Sequence, residues 1–267
     1  MMGVQPLTPL DLSIAAGLVL LLALLGWYLR LGLSRRLLVA SGRTVVQLLL
    51  IGQVLRLLFA HVNLGFIVLI SLVMLAVAGR EVMARQHRRI RGLQGWLLGT
   101  GSMFVSSFAV ALLALLVIIS NDPWYTPRYA IPLLGMLLGN TMNGIALSMD
   151  RMTETLWQQR QVVEQRLLLG QTAGEASREI RQQAIRSGLI PITNAMAAAG
   201  IVSLPGMMTG QILGGSSPMD AVMYQILIMF LICAGTGFGV LCAIWLTGKK
   251  LFDQRHRLRL DVLVSRE

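Results

Sequence analysis

The sequence predicts an all-α protein, a polytopic bundle of about seven transmembrane helices with the N-terminus outside and the C-terminus in the cytoplasm. Apolar residues make up 55% of the 267 residues and charged residues only 13%, about half the charged share of a soluble protein. Long apolar segments contain no charge at all, and basic residues concentrate between them. This composition excludes an ordinary soluble enzyme and a disordered tail protein.

Seven segments are long and apolar enough to cross a bilayer, because about 20 helical residues span roughly 30 Å of hydrocarbon. Six of them coincide with windows without charged residues, apart from Asp11 and Asp220 near the beginnings of two of them. The seventh contains two charged residues, Arg43 and Arg56. Both lie near its ends, from which long side chains reach the headgroups. Runs such as 18–25 do not alternate as barrel strands do. The predicted spans are 11–29, 37–59, 63–79, 94–119, 130–149, 187–204 and 219–247.

Lys and Arg residues between the spans predict the orientation, because cytoplasmic loops of membrane proteins are enriched in them. Four segments carry 20 of the 23 basic residues and are assigned to the cytoplasm: 30–36, 80–92, 150–186 and the C-terminal tail. The net charge of +11 is therefore mostly a topology signal, and we expect no nucleic-acid partner. We expect one multi-pass domain over 1–267, embedded in the lipid bilayer of the cytoplasmic (inner) membrane.

The chain carries no motif for an energy source or for catalysis. It contains neither a G-x-x-x-x-G-K-[ST] phosphate loop nor an H-E-x-x-H zinc motif. No Asp or Glu lies in a predicted span core, which weakens the case for ion-driven transport. We therefore expect no enzyme activity and no cofactor in this chain. Any ATP is expected to be hydrolysed by a partner.

The segment 150–186 is predicted to form a helix, a tight turn and a second helix on the cytoplasmic side. Gly170 supplies the backbone conformation that ends a helix, and Thr172 with Glu175 matches a capping box that begins the next one. Apolar residues form a narrow stripe on the first helix: Met152, Leu156, Val163 and Leu167. Two interpretations stay open, a docking element for a cytoplasmic partner and a solvated connector lying on the membrane.

Part of this segment, 167–176, resembles the coupling loop of ABC-transporter permeases, where a short helix–Gly–helix fits a groove on the ATPase subunit. The Leu-Gly-x-Thr core at 169–172 and Ala176 carry the match. The resemblance implies contact with a cytoplasmic ATPase subunit through Leu167, Gly170, Thr172, Glu175 and Ala176.

Two predicted spans carry groups that can line a substrate path. In span five, Met136, Asn140 and Asn143 share one helix face; hydrogen-bonded contact between helices is the alternative role for that face. In span six, Pro205-Gly206 is expected to break the helix, either as a gate or as a simple bend. The candidate path residues are Gln47, Met136, Asn140, Asn143, Ser203, Pro205, Gly206, Met207, Met208 and Gln211.

Small residues in span five predict how it packs. Gly135 and Gly139 form a G-x-x-x-G step, which allows another helix to approach closely. Methionines are numerous, but none is assigned as a metal ligand, because thioethers also fill apolar cores.

Residues from several segments match one family in order along most of the chain. They are Gly42-Arg43, Gln47-Leu48, Gly52, Ile131-Pro132, Gly135-Met136, Gly139-Asn140, Met142, residues 202–210, Pro218, Ala221 and Tyr224-Gln225. Together they resemble the FetB-type iron-export permeases and their plant aluminium-tolerance relatives. The resemblance implies a permease of an ABC-type exporter for iron or another metal, with two permease chains and separate ATPase subunits. The alternative is a partner-independent channel or secondary carrier for a metal ion or small solute.

Overall fold

The computed structural model describes residues 8–60 and 63–265. The described chain is helical apart from one short pair of strands, which confirms the predicted all-α class. It divides into two compact units: the N-terminal part through Asn63 with Gly210–Ser216, and Leu64–Thr209 with the chain from Ser217 onward. The predicted external N-terminus lies outside the described residues.

The first unit is built on two apolar helices, α1 (Pro9–Tyr28) and α2 (Ser34–Ala60), which pack against each other. A capping box begins α1, because Asp11 N donates to Thr8 Oγ1 (3.4 Å) and Thr8 N donates to Asp11 Oδ2 (2.8 Å). Most of their apolar side chains are exposed. Such surfaces suit helices in a bilayer, where lipid tails are as apolar as leucine.

The second unit contains the remaining elements. Its helices are α3 (Leu64–Arg85), α4 (Leu93–Met103), α5 (Ala109–Leu113), α6 (Pro127–Gln158), α7 (Arg160–Leu168), α8 (Ala173–Ala176), α9 (Arg178–Ala198) and α11 (Pro218–Leu251). Helix α10 (Gly206–Leu213) begins in this unit, and its residues from Gly210 onward belong to the first unit. Two π-helical segments, Phe104–Phe108 and Ala114–Ile119, make α4 and α5 parts of one continuous membrane helix. Strand β1 (Arg88–Ile90) pairs antiparallel with β2 (Leu263–Ser265), which follows a 3-10 turn (Leu260–Val262).

Helix α6 lies at the centre of the second unit and packs against α3, α9 and α11. Its inner face is an apolar stripe with helical spacing. The fully buried side chains of this stripe are Leu137, Ile145, Met149, Met152 and Leu156. The apolar stripe predicted for 150–186 is largely confirmed: Met152 and Leu156 on α6 are buried, and so is Val163 on α7.

Two glycines allow α6, α9 and α11 to meet at close range. A Cβ placed on Gly188 of α9 would lie 2.6 Å from the carbonyl oxygen of Gly144 and 2.9 Å from Ser148 Cβ. A Cβ on Gly144 would lie 2.7 Å from Thr236 Cγ2 of α11. Real Cβ atoms do not approach other atoms so closely, so this crossing requires glycine at both positions.

The predicted G-x-x-x-G contact is only half correct. A Cβ on Gly135 would lie 3.3 Å from Met74 Cε of α3, but a Cβ on Gly139 would meet no heavy atom within 4 Å. Spacing along one helix indicates which glycines share a face, whereas the crossing point depends on the partner helix. The close contact of α6 is therefore made five residues farther on, at Gly144.

Within the described residues, six helices are long and apolar enough to cross a membrane. They are Pro9–Tyr28, Ser34–Phe59, Leu64–Arg85, Leu93–Ile119, Pro127–Gln158 and Pro218–Leu251. Each contains or closely overlaps a predicted span. The protein is thus a multi-pass membrane protein, while the count of seven spans stays a prediction.

The end predicted for the sixth span, 187–204, is wrong. Helix α9 (Arg178–Ala198) continues from the preceding cytoplasmic segment, as predicted, but it ends at Ala198. The chain then becomes extended at Ala199, and Gly200 adopts a positive φ of 82°. The residues that follow, through Pro205, are not helical. The apolar composition continues past Ala198, and for that reason composition alone could not place the end of the helix.

We predict that Gly188→Ala lowers the free energy of unfolding by about 1–3 kcal/mol, because the new methyl group overpacks the crossing with α6. Gly139→Ala is the matched control, since it adds the same group to α6 where no atom is near. We expect the control to be neutral or to gain up to about 1 kcal/mol of helix propensity. Unfolding of the purified variants in detergent measures both, and equal stabilities would contradict the proposed crossing.

Candidate functional site

Residues 160–198 form a helical hairpin, here called the docking hairpin because its tip, 167–176, is the segment that resembles permease coupling loops. Helix α7 ends at Leu168, and Gly170 turns the chain with a φ of 90°. Thr172 then begins α8: Thr172 N donates to Glu175 Oε2 (2.8 Å), and Glu175 N donates to Thr172 Oγ1 (3.3 Å). The turn and the capping box both lie where the sequence predicts them.

The capping box perturbs the acidity of Glu175. Hydrogen bonds from the backbone N–H and then the hydroxyl of Thr172 hold the pKa of Glu175 below its ordinary value, and nearby His256 acts in the same direction. A carboxylate with a depressed pKa stabilises the folded state above its unfolded pKa, and the contribution is lost as pH falls through the folded value. The cap is therefore fully formed at neutral pH.

One ion pair joins the two sides of the hairpin: Arg166 Nη2 pairs with Glu179 Oε2 (3.0 Å). On one side of the turn, Arg181 Nη2 of α9 donates to the carbonyl oxygen of Gly174 in α8 (2.7 Å). Val163 and Ala176 are buried. Ala176, predicted to contact an ATPase, is thus covered by this chain itself, and Leu167 is half-buried.

The tip of the hairpin exposes two large apolar side chains that the sequence analysis did not select. Leu168 is 87% exposed and Leu169 is 84% exposed. Gly170, Thr172 and Glu175 are exposed beside them. The signal available in the sequence was their position directly before Gly170, at the predicted turn. The tip therefore combines a fixed backbone with an uncovered apolar pair.

Three basic segments that the sequence assigns to one side of the membrane contact each other at one end of the second unit, here called the basic end. Arg88 Nε pairs with Glu154 Oε2 (3.1 Å). Strand β2 of the C-terminal tail pairs with β1, and His256 Nδ1 of the tail accepts from Ala173 N (3.3 Å). These contacts bring together the segments 80–92, 150–186 and the tail, as expected for segments on the same side of the membrane.

The polar face predicted on span five forms hydrogen bonds within α6 and to α3. Asn140 Nδ2 donates to the carbonyl oxygen of Met136 within α6 (2.8 Å). Asn143 is exposed, and its Oδ1 accepts from Arg85 at the end of α3. These bonds favour the interhelical role for Asn143. The substrate-path role of the three residues stays a prediction.

The break after α9 borders a cavity of about 520 Å³. Gly200 N donates to Ser203 O (2.9 Å), closing a tight loop before α10. Pro205 and Met208, both predicted path residues, line the cavity, whereas Ser203, Gly206 and Met207 do not. Met136, Asn140 and Asn143 lie elsewhere, on α6. Gln47 and Gln211 belong to the first unit.

Three further polar or thioether residues line this cavity and were missed by the sequence analysis. They are Met196 on α9 and Gln225 and Met229 on α11. Gln225 is only 8% exposed, and its Oε1 accepts no hydrogen bond within the described residues. A buried acceptor without a partner costs about 1–3 kcal/mol, so a hydrogen-bond donor or a positive charge that reached this oxygen would be stabilised there.

Hard metal ligands are not clustered in the described part of the chain. Residues 8–60 and 63–265 contain no group of three or more His, Cys, Asp or Glu side chains arranged to hold a metal ion. The cavity instead offers thioethers and one amide oxygen. Thioethers suit soft cations, whereas an amide oxygen suits harder ones.

The long apolar helices, their lipid-suited surfaces and the basic end define a multi-pass helical membrane protein. Residues 9–252 match the family described as Uncharacterised protein family UPF0014. The chain belongs to this family, which confirms the resemblance found in the sequence. No solved structure matches the chain.

Relatives cover nearly the whole chain. It is 41% identical to UPF0014 membrane protein slr1647 of Synechocystis sp., over 89% of this chain and 90% of that protein. It is 32% identical to Protein ALUMINUM SENSITIVE 3 of Arabidopsis thaliana, over 92% of this chain and 88% of that protein. It is 28% identical to "Probable iron export permease protein FetB" of Escherichia coli, over 96% of this chain and 97% of that protein.

We predict that the cap at Thr172 is lost in acid. Amide exchange of Thr172, corrected for its intrinsic pH dependence, should show protection at pH 7 that disappears as pH falls well below about 4.3, the ordinary pKa of Glu. Glu175→Gln should reduce that protection at pH 7 and remove its pH dependence. Glu164→Gln, an exposed substitution on α7, is the control and should behave as the wild type. Unchanged protection in Glu175→Gln would contradict the role of the capping box.

Proposed function

We propose that the chain is the permease subunit of an ABC-type exporter, driven by a separate cytoplasmic ATPase subunit that binds the tip of the docking hairpin. One observation carries this proposal: Leu168 and Leu169 stand exposed on a capped hairpin at the basic end. An apolar pair surrounded by polar groups is typical of a protein-binding surface. The resemblance of 167–176 to permease coupling loops supports the ATPase as the partner.

Helix α9 of the hairpin connects the tip mechanically to the membrane helices. Helix α9 runs without interruption from Arg178, next to the tip, to Ala198, next to the cavity. At Gly188 it crosses α6 at backbone contact distance. A displacement of the tip by the ATPase would therefore move the cavity wall, because a packed helix transmits strain rather than absorbing it.

The proposed cargo is iron or another metal, moved through a path that includes the cavity at 196–230. The printed name of the Escherichia coli relative supports iron export. The three cavity methionines and the unpaired Gln225 Oε1 support a cation. We further propose that two permease chains act together in the cytoplasmic (inner) membrane. This arrangement rests on the family resemblance.

The decisive experiment is reconstitution of the purified chain in vesicles with and without an ATPase subunit that copurifies with it. We expect Fe²⁺ movement that requires both the partner and ATP. Movement by the chain alone, without ATP, would instead support a partner-independent channel or carrier. No movement in either case, with the partner bound, would reject iron as the cargo.

We predict that Leu168→Ser with Leu169→Ser abolishes copurification of the ATPase subunit and leaves thermal unfolding unchanged, because both side chains are outside the folded core. Val162→Ser is the control, since Val162 is also exposed (45%) but lies on the side of α7 rather than at the tip. Retention of the ATPase by the double variant would contradict docking through the tip.

We predict that Gln225→Leu lowers Fe²⁺ transport about tenfold or more without loss of stability. Leucine removes the unpaired oxygen at similar volume, and deleting an unsatisfied acceptor does not destabilise the fold. The control is Thr247→Val in the same helix, which also removes a buried oxygen without a described partner but lies far from the cavity in sequence. Full transport by Gln225→Leu would remove Gln225 from the path.

A further inference from the structure

A second cavity, of about 740 Å³, lies at the basic end and is unrelated to the proposed path. Arg80 on α3, Arg89 on β1 and Arg91 line it, together with Gly92 and Trp96. We propose that this cavity binds the phosphate-bearing headgroup of an anionic phospholipid.

Among residues 8–60 and 63–265, no acidic side chain lines the cavity beside the three guanidinium groups. Among the described residues, Glu154 pairs with Arg88 (3.1 Å) and Asp261 pairs with Arg259 (3.0 Å). Asp150 accepts the backbone N–H of His87 (2.6 Å). None of these carboxylates, nor Glu81, lines the cavity. An anion entering it therefore meets concentrated positive charge, and arginine is well suited to bind phosphate oxygens with two parallel hydrogen bonds.

The beginning of helix α4 adds to the same field. Gly92 is its N-cap and lines the cavity, and no side chain caps the first turn. The positive end of the helix dipole therefore lies at the site. Gly95 keeps this end close to its neighbours, since a Cβ there would lie 2.8 Å from Met83 Cε of α3.

The cavity lies at the depth of lipid headgroups. Arg80 directly follows the charge-free window that ends at Gly79, and Gly92 opens the next charge-free window. Both membrane helices thus emerge from the hydrocarbon at the cavity. Trp96 lies beside Gly79, where tryptophans of the interfacial belt are common.

Exposed apolar side chains continue from the cavity toward the hydrocarbon, which favours a lipid over a soluble phosphate compound. Val73 and Val77 share the Arg80 face of α3 by i−7 and i−3 spacing and are about half exposed (54% and 52%). On α4, Leu93 and Leu97 are 68% and 52% exposed. A phospholipid can place its phosphate in the cavity and its acyl chains along these residues. Basic pockets at this depth are suited to anionic headgroups.

The test is native mass spectrometry of the purified full-length chain, titrated with phosphatidylglycerol or phosphatidylcholine. We expect the wild type to retain phosphatidylglycerol preferentially. Removing one arginine should weaken this binding about fivefold, so Arg89→Gln with Arg91→Gln should weaken it about 25-fold. The matched control is Arg35→Gln with Arg36→Gln, which removes the same charge from exposed arginines outside the cavity and should bind as the wild type.

Arg80→Gln tests the site without altering the strands, in case the double variant disturbs β1. It should weaken phosphatidylglycerol binding about fivefold. Wild-type affinity in both cavity variants would overturn the proposal. Displacement of phosphatidylglycerol by excess inorganic phosphate, with inorganic phosphate alone protecting the wild type against unfolding, would also overturn it, by assigning the cavity to a soluble phosphate compound. The outcome does not depend on an ATPase partner.

Discussion

The structure of the second unit depends on the contact of α6 with α9 at Gly144 and Gly188. Hydrophobic burial gives little drive for helices to associate in lipid, so close packing of small residues and hydrogen bonds must hold them together. The backbones approach until a single added methyl group would collide with a carbonyl oxygen. Helix α11 completes the crossing through Thr236 and Val240.

This crossing lies between the two regions proposed to act in transport. On one side, α6 and α9 lead to the docking hairpin; on the other, α9 ends beside the cavity lined by Met196, Gln225 and Met229. The tip of the hairpin is ordered by its own capping box and by the Arg166–Glu179 ion pair. A partner bound at Leu168 and Leu169 would act on the membrane helices through α9.

Arginines at the basic end have two different roles, one in internal contacts and one in lining a cavity. Arg88 is used for structure, because it pairs with Glu154 and lies over the Trp157 ring at 4.1 Å. Arg80, Arg89 and Arg91 line an open cavity instead. Positive charge at a membrane boundary therefore both orients the chain and creates a surface for anionic lipid.

Local features could be predicted from the sequence because they depend on residues close together in the chain. Apolar length is enough to identify the membrane helices, and the spacing of Gly170, Thr172 and Glu175 is enough to place the turn and its cap. The end of α9 at Ala198 could not be predicted, because the apolar composition does not change there. The exposure of Leu168 and Leu169 required the fold of the whole hairpin, although both residues were visible in the sequence.

By itself, the sequence determined the helical class, the charge asymmetry and the capped hairpin. Only the tertiary structure decided that Gly144 rather than Gly139 is the contact point, that Ala176 is buried, and that Gln225 faces a cavity with methionines from two other segments. Hydrophobicity and capping act within a few residues of the chain. Packing and burial depend on which distant segment lies opposite, and no local pattern specifies that partner.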